Sequence, residues 1–314
     1  MTSFQKLILI FCVLFFSCNT TPEKEQVIGP NQFIKILGTA QDAGYPQIDC
    51  EKSCCQAYYN GEESKKLVSC LGLVDLENKQ KWLFDATPDI AQQVQDLKEN
   101  LLSNKPIDGI FLTHAHMGHY TGLMHLGKEA LGGTSVPVYA MPKMTAFLKN
   151  NGPWSQLVAL NNIQITTLKG DSIMSLNSNF KVTPFLVPHR DEFSETVGYK
   201  IQGPKKALLF IPDINKWHLW ERDIVAEVKK VDYALLDATF FKDGEIPRPM
   251  SEVPHPFITE TVSLFDKESI ETKNKVHFIH FNHSNPAILQ THHLQDSIKA
   301  LGFNFAKQGQ ILGL

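Results

Sequence analysis

Thr113-His114-Ala115-His116-Met117-Gly118-His119 follows directly on Ile110-Phe111-Leu112. The apolar triplet predicts a buried strand, so the histidines fall on a tight loop at its end. Neutral imidazole is the commonest protein ligand for zinc and also binds iron and manganese. Three imidazoles within six residues are costly to bury with nothing to bind. A solvated polar loop is the competing reading, and the apolar lead-in weighs against it.

The same arrangement recurs outward along the chain. Asp85 follows Trp82-Leu83-Phe84, and His189 follows Val187-Pro188. Asp213 follows the run from Ala207 to Ile211, Asp237 closes the run from Tyr233, and His280 follows Val276 to Ile279, with His283 three residues on. In layered α/β folds the C-terminal ends of strands are where rigid elements aim side chains into a shared crevice. One histidine at such a place is more often structural. Several strand ends, each with a metal-type ligand, point to a site.

The apolar patterning predicts strands over 33–37, 67–76, 82–85, 107–113, 136–140, 163–168, 180–187, 233–237 and 275–280. A hairpin is predicted from 196–201 and 207–211, joined through Gly203-Pro204. Helices are predicted over 121–131, stopped by Gly132-Gly133, and over 289–301. No repeat or second linker interrupts this pattern, which fits one domain of mixed sheets with outer helices.

With 314 residues, 43% hydrophobic and 20% charged, the chain is an ordinary globular one. Thirty basic residues against 33 acidic ones exclude a broad basic surface, so no nucleic-acid partner is expected. A small-molecule substrate is the expected partner. Oligomeric state is not legible.

His114-Ala115-His116-Met117-Gly118-His119 resembles the HxHxDH motif of the metallo-β-lactamase-fold superfamily. The downstream order His189, Asp213, His280 matches as well, and Asp85 resembles the family's earlier aspartate, which braces the ligand loop. Within the superfamily, Leu37-Gly38-Thr39-Ala40-Gln41-Asp42-Ala43-Gly44-Tyr45-Pro46-Gln47 and Ile279-His280-Phe281-Asn282-His283-Ser284-Asn285-Pro286 resemble the PQQ-biosynthesis protein B family. The resemblance implies an α/β fold: a four-layer αββα sandwich of mixed sheets with outer helices. It implies one or two divalent ions, zinc first, with iron or manganese as alternatives. His114, His116 and His189 would hold the first, with Asp213 bridging; His119, Asp213 and His280 would hold the second. Gly118 departs from the motif, where an aspartate ligand is usual, so weaker binding or a single ion is expected there. His255 resembles a histidine used near the leaving group, and Asp237 and His283 are expected to support the ligands from behind. Asp42 is expected to line the cleft or shape its turn.

The chemistry so implied is hydrolysis of an ester, lactone or phosphodiester bond by a metal-activated hydroxide, with Asp213 orienting it. Two rivals stand beside it. One is an iron-dependent oxygenase of PQQ-type cofactor biosynthesis, implied by the family. The other is a non-catalytic metal- or ligand-binding lipoprotein, which Gly118 keeps open.

Leu7 to Phe16 is an apolar run too short to cross a bilayer, where about 20 residues are needed. With Ser17-Cys18 it resembles a bacterial lipoprotein signal. The implied division is a signal peptide (1–17), a lipidated tether (18–31) and the folded domain (32–314), giving an exported protein anchored to a membrane through Cys18. Cys50, Cys54, Cys55 and Cys70 then remain. Exported proteins permit disulfides, and clustered thiols also suit a small zinc site that would take a fourth ligand from elsewhere. Free buried thiols are the third reading.

Overall fold

The computed structural model describes residues 29–314 apart from 102, 104, 248, 250, 251 and 290–292. The expected signal peptide, the expected lipidation site Cys18 and most of the tether lie outside the described residues. Among the described residues no helix is long and apolar enough to cross a membrane.

The strands, in chain order, are β1 (Gln32–Gly38), β2 (Cys70–Asp75), β3 (Gln80–Phe84), β4 (Gly109–Phe111), β5 (Val136–Ala140) and β6 (Ile163–Thr167). Then come β7 (Met174–Ser175), β8 (Lys181–Leu186), β9 (Val197–Gln202), β10 (Ala207–Ile211), β11 (Tyr233–Asp237), β12 (Val276–Ile279), β13 (Asn304–Phe305) and β14 (Ile311–Gly313). They form two sheets, ordered β14-β1-β2-β3-β4-β5-β6 and β13-β12-β11-β10-β9-β8-β7. Each sheet is antiparallel over one half and parallel over the other. The change comes at β3, whose partner β4 is parallel, and at β10, whose partner β11 is parallel. Ligand-type residues gather where the parallel strands end.

Alternation along the strands builds four layers. Ile34 and Ile36 of β1 and Leu208 and Phe210 of β10 share the core between the sheets. Their neighbours turn outward: Phe33 and Leu37 join the cluster under Ile90, Leu97 and Leu148, while Leu209 and Ile211 join the one under Ile224, Ile258 and Ile298. Helix Ile90–Lys98 shows why such segments are helical and covering. Ile90 and Leu97 are buried one above the other, and the opposite face carries Gln92, Asp96 and Lys98. The αββα architecture implied by the motif is the observed one.

Between the sheets Phe84 stacks on Phe111 with ring centroids 4.9 Å apart, and Tyr199 and Phe210 meet Phe84 edge-on. Burying each such ring contributes about 1.5–3 kcal/mol. This packing fixes the ends of β3 and β4, one residue before Asp85 and three before His114.

The predicted helix over 121–131 is a correction. A helical turn at Met117–Tyr120 passes into a 3₁₀ helix at Thr121–Leu126. Gly122 N–H donates to Ala86 O at 2.9 Å rather than to the carbonyl four residues back. A side chain at 122 would overlap the Thr87 carbonyl, so close approach, not helical periodicity, shapes the segment. The closing helix runs over His293–Ala300, and the predicted hairpin is β9–β10.

His277 in β12 carries an acid-sensitive share of stability. Its Nδ1 is buried without a hydrogen-bond partner, and burial pushes its pKa down from 6.5 to about 4. The unfolded chain therefore binds a proton between those values that the folded chain refuses. Stability is whole above the unfolded pKa and falls as pH drops towards the folded one, by about 3 kcal/mol at roughly 1.4 kcal/mol per unit. His277→Phe should flatten this loss in urea titrations between neutral pH and pH ~4.5. Equal slopes for the two proteins would contradict the assignment.

Candidate metal centre

Asp85 is fully buried and takes a left-handed backbone, φ 72°, as does His280 with φ 69°. Such conformations cost on the order of 1–3 kcal/mol outside glycine and persist where surrounding structure holds them. At Asp85 the holding bonds are visible. Thr113 N–H and Thr113 Oγ1 both donate to Oδ1, at 2.8 and 2.9 Å, and His119 Nδ1 lies 2.7 Å from Oδ2. The ligand loop is thus tied to the end of β3 through one carboxylate.

These partners fix which nitrogen each ring presents. A carboxylate only accepts, so His119 carries its proton on Nδ1 and turns Nε2 inward. Thr113 Oγ1 donates to Asp85 and so accepts from His114 Nδ1 at 2.9 Å. Thr239 Oγ1 donates to Asp237 at 2.7 Å and accepts from His280 Nδ1 at 3.0 Å. His189 Nδ1 meets Asn215 Oδ1 at 3.1 Å. The rings of His114, His189 and His280 therefore offer an Nε2 lone pair. His119 lies between two carboxylates: burial opposes its charge, but Asp85 and Asp42 outweigh it and hold its pKa well above the ordinary value, so an ion would take the place of its Nε2 proton. His116 offers Nδ1 instead, 2.8 Å from His114 Nε2 and 3.3 Å from His189 Nε2.

Asp213 lies at the centre. Its Oδ2 is 3.2 Å from His114 Nε2, 3.8 Å from His119 Nε2 and 3.9 Å from His280 Nε2; its Oδ1 is 3.2 Å from His189 Nε2. His255 Nδ1 lies 3.1 Å from Asp213 Oδ1 and 2.9 Å from Asp237 Oδ2. Asp42 Oδ1 approaches His119 Nε2 at 3.1 Å. The expected ligands His114, His116, His119, His189, Asp213 and His280 are thus brought together, with Asp85, Asp237 and His255 around them.

Burial pushes His114 well below its ordinary pKa and also lowers His189 and His280, so these rings are held neutral, the ligand form. Burial opposes charge on His255 too, but Asp237 and Asp213 outweigh it and raise the ring to about 10. His280 Nε2 is buried with no hydrogen-bond partner, and Asp42 Oδ1 and His119 Nε2, 3.1 Å apart, have no partner beyond each other. Unsatisfied buried polar atoms are rare and costly, and here they belong to one cluster of nitrogen and carboxylate donors. The donor set fits a divalent ion.

The cysteines correct two expectations. Cys50, Cys54 and Cys55 gather with His283, one ligand atom of each lying within 4.8 Å of the others. His283 therefore stands with the thiols, its Nδ1 buried and unpartnered, and not behind the histidine centre. Cys70 lies apart: it is fully buried in the layer outside the first sheet, with Sγ 3.5 Å from Asp85 O. Strand β2 points it away from the other three. All four are unbonded to one another in this structure, and the Cys50 and Cys54 sulfurs stand 4.0 Å apart.

The sequence reading missed Thr113, Thr239 and Asn215 as ring-orienting partners. Each lies next to or two residues from a predicted ligand or support, and that adjacency was the available signal.

The description Beta-lactamase superfamily domain matches residues 80–303 of the chain. Coenzyme PQQ synthesis protein B of Methylorubrum extorquens (strain ATCC 14718 / DSM 1338 / JCM 2805 / NCIMB 9133 / AM1) is 25% identical over 308 residues, covering 90% of this chain and 99% of that protein. Among solved structures, zinc-bound PqqB from Methylobacterium extorquens superposes with a TM-score of 0.75 at 23% identity, covering 90% of this chain and all of that one (100%). A diphosphatase from the PhnP family gives 0.64 at 22% identity, covering 90% of this chain and 96% of that one. At these identities the two structures speak for the fold alone.

Proposed function

This chain belongs to the beta-lactamase superfamily, and from that premise we propose that it is a metal-dependent hydrolase of an ester, lactone or phosphodiester bond. The observation that carries the reading is the convergence on Asp213 of ring nitrogens from the five ligand histidines His114, His116, His119, His189 and His280, with His255 as a sixth ring beside them. His114, His116, His189 and Asp213 would hold one divalent ion, and His119 and His280 face the space for a second. Such ions, when bound, polarise a substrate oxygen and bring the pKa of a coordinated water towards ~7.

The chain's own groups do the rest. Asp213 accepts a hydrogen bond from the attacking water and orients it. His255, kept protonated between Asp237 and Asp213, stands where it can pass a proton to the departing oxygen. Asp85, Thr113, Thr239 and Asn215 keep the rings from turning, which preserves the geometry over each turnover. The Cys50, Cys54, Cys55 and His283 set is a separate structural zinc site in this reading, closed by four protein ligands.

Relatives are named for coenzyme PQQ synthesis, which keeps beside it the second reading that the family resemblance implies, an iron-dependent oxygenase acting on a cofactor precursor. The two separate in one assay. Metal-loaded protein is offered an aryl phosphodiester, a lactone, a thioester and, for the oxygenase, a tyrosine-containing peptide with Fe²⁺ and a reductant, with and without oxygen. The hydrolase reading expects turnover of at least one of the first three, unchanged under nitrogen and stopped by chelation. Turnover only with oxygen supports the oxygenase, and metal bound without any turnover supports a binding protein.

A further inference from the structure

Position 118 is glycine, and the space beside it is taken. A Cβ on Gly118 would overlap Asp42 Oδ1 and lie 2.5 Å from Asp42 Cα. A side chain at 118 and the loop carrying Asp42 are therefore mutually exclusive. The bare backbone at 118 is what lets the Asp42 carboxylate come up against His119.

That carboxylate is held where it is. Gln41 N–H donates to Phe281 O at 2.8 Å, and Phe281 N–H donates to Thr39 O at 2.8 Å. The loop after β1 is thereby stitched to the residue following His280. Asp42 Oδ2 has a long contact to Gln41 Nε2 at 3.5 Å. Oδ1 is buried 3.1 Å from His119 Nε2, and these two atoms have no other partner; Nε2 of His280 is buried with no hydrogen-bond partner, and both rings are fully buried. Asp42, His119 and His280 offer ligand atoms within 4.8 Å of one another. Asp213 Oδ2 stands 3.8 and 3.9 Å from the two ring nitrogens.

We propose that Asp42 supplies from the β1 loop the carboxylate ligand that position 118 lacks, so that Asp42, His119, His280 and Asp213 hold a second divalent ion. The inference rests on the metal-centre reading above and deepens it. It replaces the sequence expectation of a weakened second site. With four protein donors, two of them carboxylates, that site is as complete as the first. Gly118 is then a fitted residue, not a mark of decay. A purely structural Asp42, serving only as an acceptor for His119, would be satisfied by asparagine. A ligand would not, because the neutral amide loses the charge that holds the ion.

The test is a titration of metal-free protein with Mn²⁺, a probe that oxygen and imidazole donors accept and thiolates disfavour. Binding is followed by calorimetry and by the electron paramagnetic signature of a coupled ion pair. Wild type should take up two equivalents. Asp42→Asn and Asp42→Ala should each take up one and lose the coupled signal. Affinity for the second ion should fall by more than about a hundredfold, beyond the 10–100-fold that changing an outer partner costs. The unfolding midpoint of the metal-free variants should match wild type. Retention of both ions by Asp42→Asn, within about tenfold in affinity, overturns the assignment of Asp42 and leaves the hydrolase reading standing. Wild type binding one ion overturns it as well. Wild type binding none removes both.

Discussion

Replacing His116 and His189 together by alanine is expected to empty the first ion site and stop turnover. Those rings provide two of the three nitrogens that surround Asp213 on that side, at 2.8 to 3.3 Å from one another or from His114. What remains, His114 Nε2 and one carboxylate, is a two-ligand set, short of the three protein donors that a catalytic site keeps. Losing a bound Lewis acid costs several kcal/mol of transition-state stabilisation, so a fall of about 10⁴-fold in kcat/KM is expected. The fold should survive, because neither ring packs in the core between the sheets. Metal analysis and steady-state kinetics on the same preparation check this. Full activity in a metal-free double variant would refute the mechanism.

Replacing Asp85 by alanine is expected to cost stability and metal together. Three buried donors would lose their acceptor at once: Thr113 N–H, Thr113 Oγ1 and His119 Nδ1. Each unsatisfied buried group costs about 1–3 kcal/mol, so a loss of at least about 3 kcal/mol is expected in urea unfolding. Alanine also tolerates the left-handed backbone at 85 less well than aspartate does. Freed of its Nδ1 partner, His119 no longer presents Nε2 in one orientation, and affinity at the second ion site should drop about 10–100-fold. Asparagine, whose amide oxygen still accepts both Thr113 bonds while its NH2 cannot accept from His119, and which suits the backbone, should fall between. A variant with wild-type stability and metal content would show that Asp85 braces nothing.

The histidine centre was legible because its chemistry sits at strand ends. A short apolar run followed by a polar ligand is visible in one dimension, and His114, Asp213 and His280 each follow such a run. The layers were legible for the same reason, since period-two burial on both faces leaves nearly continuous apolar strands such as Ala207–Ile211. Three features were not legible. Asp42 meets His119 only because backbone bonds tie the β1 loop to Phe281, a contact between distant parts of the chain. His283 goes to the cysteines because the turn after β12 carries it across to that cluster. Cys70 is grouped with the other thiols by composition but separated from them by the first sheet. Each is a matter of where loops cross, which local pattern does not encode.

The most direct test of the central claim is a crystal structure of the zinc-loaded protein with anomalous scattering recorded at the zinc edge. The account predicts two peaks on either side of the Asp213 carboxylate, one among His114, His116 and His189 and one among Asp42, His119 and His280, with a third among Cys50, Cys54, Cys55 and His283. Zinc-loaded crystals showing no peak beside Asp213, with the five rings turned to hydrogen-bond one another or solvent, would contradict it.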